Sequence, residues 1–160
     1  MSSPLQPTTS RFDVFEPGDK TALVCMDVPE MERLVVEQLS SIDYKIHTGI
    51  SVEDLLFKMR AHTYDVIIVS ENFAASNIHT NPLLAETINA PTIQRHQQIV
   101  VLIGASLKTA SEDQAFQYSV DVVIGLSDIN NLRPVVRRTV QRQQEFYGRY
   151  LEAIAAADHA

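Results

Sequence analysis

Five short apolar runs punctuate the chain, and the stretches between them are amphipathic. Residues 21–26 (TALVCM) form the first run, closed by Asp27. Residues 65–69 (DVIIV), 98–103 (QIVVLI) and 121–124 (DVVI) are denser and rich in Val and Ile, and residues 45–49 (KIHTG) are a weaker example. Continuous β-branched runs of this length predict strands covered on both faces, the signature of a parallel sheet. Between the first two runs, Met31, Leu34, Val35, Leu39 and Ile42 recur at helical spacing, after Pro29, as far as about Tyr44. Proline is tolerated in a first helical turn, where its missing N–H has no partner to lose. Ser51 is a candidate N-cap, with Glu53 and Asp54 in the first turn and Leu55, Leu56 and Met59 on the apolar face.

A further helix is predicted from Ser111 and Glu112 through Tyr118, and a final one from about Asn130, with Pro134 in its first turn. The order is therefore βαβαβαβαβα. Repeated alternation of this kind predicts an α/β three-layer sandwich, and right-handed crossovers leave few arrangements of five parallel strands. The flavodoxin-like order 2-1-3-4-5 is the expected one. The stretch from Glu71 to Gln97 departs from this economy. It carries Asn72, Asn77, Asn81 and Asn89 with Pro82 and Pro91, and one helix is predicted over residues 83–88, capped by Asn81.

Residues 1–18 hold Pro4, Pro7, Pro17 and Gly18 with few apolar side chains, and read as a flexible tail with Phe12, Val14 and Phe15 as a docking patch. Residues 19–145 read as the domain, and residues 146–160 as an extension of the last helix with a C-terminal tail. At 160 residues and 45% hydrophobic, the chain is long enough for one real core. It has no apolar run long enough for a membrane helix and no secretory pattern at its start. Cys25 is the single cysteine, which excludes an intrachain disulfide and a cysteine-built zinc site. These features together point to the cytoplasm. A net charge of −7 argues against nucleic acid or an anionic membrane as the general partner.

Chemistry on such a sheet gathers at the carboxyl ends of the strands. Ser70 ends the third strand, and Asp27 follows the first behind Met26. The element order and these strand ends resemble bacterial response-regulator receiver domains, over roughly residues 20–145. The resemblance implies a phosphate-accepting aspartate at Ser70 and a magnesium-holding acidic pair at Met26 and Asp27. It further implies a hydroxyl residue at Gly104 and a lysine at Gly125 or Leu126. None of the four roles is intact in this chain. Magnesium wants hard oxygen ligands, a serine nucleophile needs an activating base, and a transferring phosphoryl group needs a cation. The joint loss predicts a degenerate phosphorylation pocket (Met26, Asp27, Ser70, Gly104, Gly125, Leu126) with no catalytic residue, no metal and no cofactor.

Other sites are not supported. His47, His62, His79, His96 and His159 are scattered without ligand spacing, and Gly49, Gly104, Gly125 and Gly148 are isolated, so no phosphate-binding glycine loop exists. Cys25 is expected in the core.

The last helix is the second informative feature. Leu132, Val135, Val136, Val140, Phe146, Tyr147, Tyr150, Leu151 and Ile154 keep helical spacing well past the reach of the sheet. A helix of about 25 residues is roughly 37 Å long, whereas a five-residue strand spans about 17 Å. Phe146, Tyr147, Tyr150 and Leu151 are thereby expected on an overhang, as an interface for a protein partner or for a second copy. Arg133, Arg137, Arg138, Arg142 and Arg149 form its basic flank. The expected function is phosphorylation-independent interaction or scaffolding in bacterial signal transduction. The rival is a small-molecule sensor or enzyme that uses the strand carboxyl ends.

Overall fold

The computed structural model describes residues 10–158. Residues 1–9 of the predicted tail, and His159 with Ala160, lie outside the described residues. Five strands form one parallel sheet: β1 (Lys20–Cys25), β2 (Tyr44–Thr48), β3 (Val66–Ser70), β4 (Ile99–Gly104) and β5 (Val122–Gly125), in the order β2-β1-β3-β4-β5. The connecting helices are α1 (Pro29–Ser40), α2 (Val52–Ala61), α3 (Pro82–Ile88), α4 (Thr92–Gln97), α5 (Glu112–Gln117) and α6 (Leu132–Asp158). This is the flavodoxin-like three-layer architecture.

Side-chain alternation divides the core in two. Ala22, Val24, Val66, Ile68, Val101, Ile103 and Ile124 face α1 and α6, meeting Val35, Leu39, Leu132 and Val136. Leu23, Cys25, Ile67, Val69, Val100, Leu102 and Val123 face the other way, against Leu55, Met59, Leu83, Leu84 and Ala115 of α2, α3 and α5. Cys25 is fully buried there, and that burial pushes its thiol pKa up, so it is a protonated core residue.

Several boundaries move by local chemistry. The first helix stops at Ser40 rather than near Tyr44, because Asp43 turns the chain with a φ of 70° and sends Tyr44 into β2. Ser51 and Ser111 cap α2 and α5 with their side chains, on the N–H groups of Asp54 and Gln114. The segment between β3 and β4 holds a second helix, α4, that periodicity did not reveal. With six residues and no buried side chain, it has no apolar face to read. Gly148 does not break the last helix, which runs unbroken over 27 residues.

The described part of the N-terminal segment is packed on the domain. Residues 10–13 lie along the outer edge of β2, with Phe12 bridging His47 in antiparallel sense. The Thr48 N–H donates to the Arg11 carbonyl at 3.0 Å, and the Asp13 N–H to the Ile46 carbonyl at 3.3 Å. An edge strand carries unpaired backbone groups that favour such a cover. Among the described residues no helix is long and apolar enough to cross a membrane.

Candidate functional site

The register Cys25↔Val69, Ser70↔Ile103 and Gly104↔Gly125 brings the ends of β1, β3, β4 and β5 to one edge of the sheet. There the predicted pocket residues assemble, but each is committed to a neighbour. Met26 is buried and belongs to the core facing α1 and α6, so its thioether does not line an open site. Asp27 is exposed, and its carboxylate accepts the Ala74 N–H at 2.9 Å. Ala74 and Ala75 have φ of 56° and 59°, a left-handed turn that costs roughly 1–2 kcal/mol per residue. Asp27 thus acts as a clamp on a strained turn after β3. Ser70 donates its hydroxyl to the side-chain carbonyl of Asn72 at 3.2 Å, and this amide partner is no base.

The residue that sequence reasoning underrated is Glu71. Its N–H donates to the Ile103 carbonyl at 2.8 Å, and its carboxylate accepts from the Ser106 hydroxyl at 2.6 Å and the Ser106 N–H at 3.2 Å. This places the Glu71 side chain directly over Gly104. A Cβ built at Gly104 would lie 2.1 Å from the Glu71 carboxyl carbon. The glycine at the end of β4 was the available signal: it marks a place where another group occupies the side-chain volume. Gly125 is similarly closed. Its N–H donates to the Thr109 hydroxyl oxygen at 2.9 Å, and a Cβ there would meet the Leu107 carbonyl oxygen at 2.7 Å. Thr109 in turn donates to the Asp128 carboxylate at 2.5 Å. Leu126, the other candidate for the lysine role, is packed against the α1–α6 core.

The edge therefore carries three carboxylates, Asp27, Glu71 and Asp128, each engaged by protein donors, and hydroxyls bonded to their neighbours. Among the described residues no group of three or more His, Cys, Asp or Glu side chains is placed to hold a metal ion. The donor set fits magnesium poorly, since a sulfur buried in the core stands where the resemblance calls for an oxygen ligand.

The second predicted site lies at the opposite end of the sheet. Helix α6 starts near the carboxyl end of β5 and runs back to the amino end of β4. There Gln143 donates to the carbonyls of His96 and Gln98 at 2.8 and 3.3 Å. On α6 only Leu132 and Val136 are buried, with Val135 and Val140 partly so. Beyond Gln143 the apolar residues emerge: Phe146 is 74% exposed, Tyr150 50%, Leu151 49% and Ile154 41%. Tyr147 is half-buried, its ring 6.2 Å from that of Tyr150. A groove of about 640 Å³ runs beneath this end of the helix, lined by Ile88, Arg95, His96, Phe146, Tyr147 and Tyr150 among others. The arginines take the polar flank, where Arg142 approaches Glu112 at 3.9 Å and Arg133 bonds the Ser41 hydroxyl.

No family model and no curated protein matches the chain. Solved structures do. A candidate response regulator from Chloroflexus aurantiacus J-10-fl superposes with a TM-score of 0.62 at 14% identity, covering 77% of this chain and 98% of that one. The receiver domain of the Francisella response regulator 1452 gives 0.60 at 15% identity, covering 78% and 98%. A response regulator from Hahella chejuensis gives 0.52 at 20% identity, covering 82% and 95%. At these identities the likeness establishes the fold, and the chain has the receiver fold.

Proposed function

We propose that this chain is a degenerate receiver module that acts in bacterial signal transduction by binding proteins, independently of phosphorylation. The observation that carries this reading is the filled pocket. Glu71 occupies the volume over Gly104, Asp27 is spent on the turn at Ala74, and the carbonyl of Leu107 stands where a side chain at Gly125 would begin. A phosphoryl group arriving at this edge would meet the carboxylates of Asp27 and Glu71, the reverse of what its charge requires. The response-regulator neighbours support the signalling context. The overhanging half of α6 is the proposed contact surface, for a second copy or a protein partner in the cytoplasm. The rival reading places a small ligand at the strand carboxyl ends. Three cavities of about 460–650 Å³ run along α6 instead, lined by neither Asp27 nor Ser70.

Incubation with acetyl phosphate and magnesium tests the proposal. Intact-mass spectrometry is expected to show no phosphate adduct on the wild-type chain. Ser70→Asp is expected to stay equally unlabelled, because the added carboxylate gains neither a metal partner nor a lysine. Stoichiometric labelling of either protein would overturn the reading.

A further inference from the structure

One imidazole sits at the centre of the contacts that hold the N-terminal segment, beside the backbone bonds of Arg11 and Asp13 to β2. His47 projects from the edge strand β2 and is 1% exposed. The Phe12 ring stacks on one side of it at 4.3 Å between centroids and the Phe15 ring at 4.0 Å, within 11° and 9° of parallel. Its Nε2 faces the Asp13 carbonyl at 3.0 Å, and a carbonyl only accepts, so Nε2 carries the hydrogen. Its Nδ1 lies 2.7 Å from the Tyr64 hydroxyl and accepts from it when neutral. Both ring edges and both faces are thus engaged, and the residues engaging three of these four positions belong to residues 10–16.

The surroundings leave no room for a charge. From α2, the Lys58 ammonium reaches the Thr48 carbonyl at 2.6 Å, the Asp54 carboxylate at 3.0 Å and the Ser10 hydroxyl. The His62 ring stands edge-on, 5.4 Å from the His47 centroid. Two carboxylates are near, and both are committed. Asp13 binds the Ile46 N–H at 2.9 Å and pairs with Arg11, while Asp54 takes Lys58 and the Ile50 N–H. From β1, the buried thiol of Cys25 is neutral. Two phenyl faces attract a cation, but weakly beside the loss of all hydration and the like charge of Lys58.

We propose that residues 10–16 are a proton-released arm: neutral His47 holds them over the outer edge of β2, and protonation of His47 lets them go. A proton on Nδ1 takes away the Tyr64 acceptor and puts a charge between two phenyl rings, and undocking relieves both by giving the ring to water. The turn at residues 16–19 supplies the pivot. There the Asp19 N–H bonds the Glu16 carbonyl at 3.1 Å, and Gly18 has a φ of 91°. Release uncovers the backbone groups of Ile46 and Thr48, an unpaired sheet edge of the kind that takes up another strand.

The sign follows from the direction of the shift. Burial lowers the His47 pKa below its ordinary value of 6.5, with Lys58 and His62 acting the same way and Asp13 opposing. The docked arm therefore has its full stability above about pH 6.5 and weakens as pH falls below it, until the docked histidine also protonates. Amide ¹⁵N relaxation on the full-length chain, from pH 7.5 to 5, reads this directly. Order in residues 10–16 is expected to fall, and the docking equilibrium to drop about tenfold or more, while β4 stays rigid. His47→Gln, which cannot take the proton, is expected to abolish this pH dependence. His62→Gln is expected to leave it in place. An arm that stays ordered to pH 5 in a folded wild-type chain would overturn the proposal. So would release that persists in His47→Gln or vanishes in His62→Gln. If His47→Gln fails to fold, the imidazole Cε1–H titration of the wild type decides: an ordinary pKa for His47 with the arm docked would overturn the latch.

Discussion

Replacement of Asn81 by alanine is expected to lower unfolding stability by roughly 2 kcal/mol, a large effect for one polar side chain. Asn81 is buried and uses both ends of its amide. The side-chain oxygen accepts the N–H groups of Leu83 and Leu84 at 3.0 and 3.2 Å, which caps α3. The side-chain nitrogen donates to the carbonyls of Ser70 and Glu71 at 2.8 and 3.2 Å. Loss of a cap costs about 1 kcal/mol, and leaving the part-buried carbonyls of Ser70 and Glu71 without this donor adds about 1 kcal/mol. Asn81→Ser separates the two contributions, since serine keeps the cap but cannot reach the β3 end. It is expected to recover about a third to a half of the loss in urea unfolding. Equal stability of Asn81→Ala and wild type would show that water replaces the amide without penalty.

Replacement of Tyr147 and Leu151 by glutamate is expected to abolish association while leaving the fold intact. Leu151 is half exposed and Tyr147 half-buried on the overhang, so the monomer loses little packing and its urea midpoint is expected to move only slightly. The association, by contrast, is expected to depend on this surface. A fully buried large apolar side chain contributes about 1.5–3 kcal/mol before association costs, and the two substitutions place carboxylates at the centre of the patch. Light scattering over a concentration series should show a larger species for the wild type and a monomer for the mutant. If the wild type remains monomeric at high micromolar concentration, stable homodimerisation is ruled out. The same pair of proteins then tests hetero-docking by partner pull-down from the source cell.

The pocket positions separate composition from arrangement. That Ser70, Gly104 and Gly125 stand at the ends of three strands is legible because strand ends are set by local apolar runs. That Glu71 fills the space over Gly104 is not legible. It depends on the side chain just after β3 crossing the end of β4, a neighbour relation only the sheet creates. The same holds for Asp27 and Ala74, which are 47 residues apart in sequence and meet only when β1 and β3 pair.

The sequence by itself determined the sheet and its covering. Five β-branched runs separated by helical periodicity admit little except a doubly wound parallel sheet, because backbone pairing and apolar burial have few joint solutions for that pattern. It also determined the caps at Ser51 and Asn81, since a cap is a contact over two or three residues. Tertiary structure alone decided where polar side chains spend their hydrogen bonds over long separations. Asn81 reads as a helix cap, yet it also ties down the end of β3. His47 reads as one more scattered histidine in a weak strand, yet it is the seat of the N-terminal arm. Phe12 and Phe15 read as residues of a tail, yet they find the two faces of its ring. Periodicity records which face of an element is apolar. It carries no information about which distant group will satisfy a polar atom, because that partner is chosen by the packing of elements that are not neighbours in the chain.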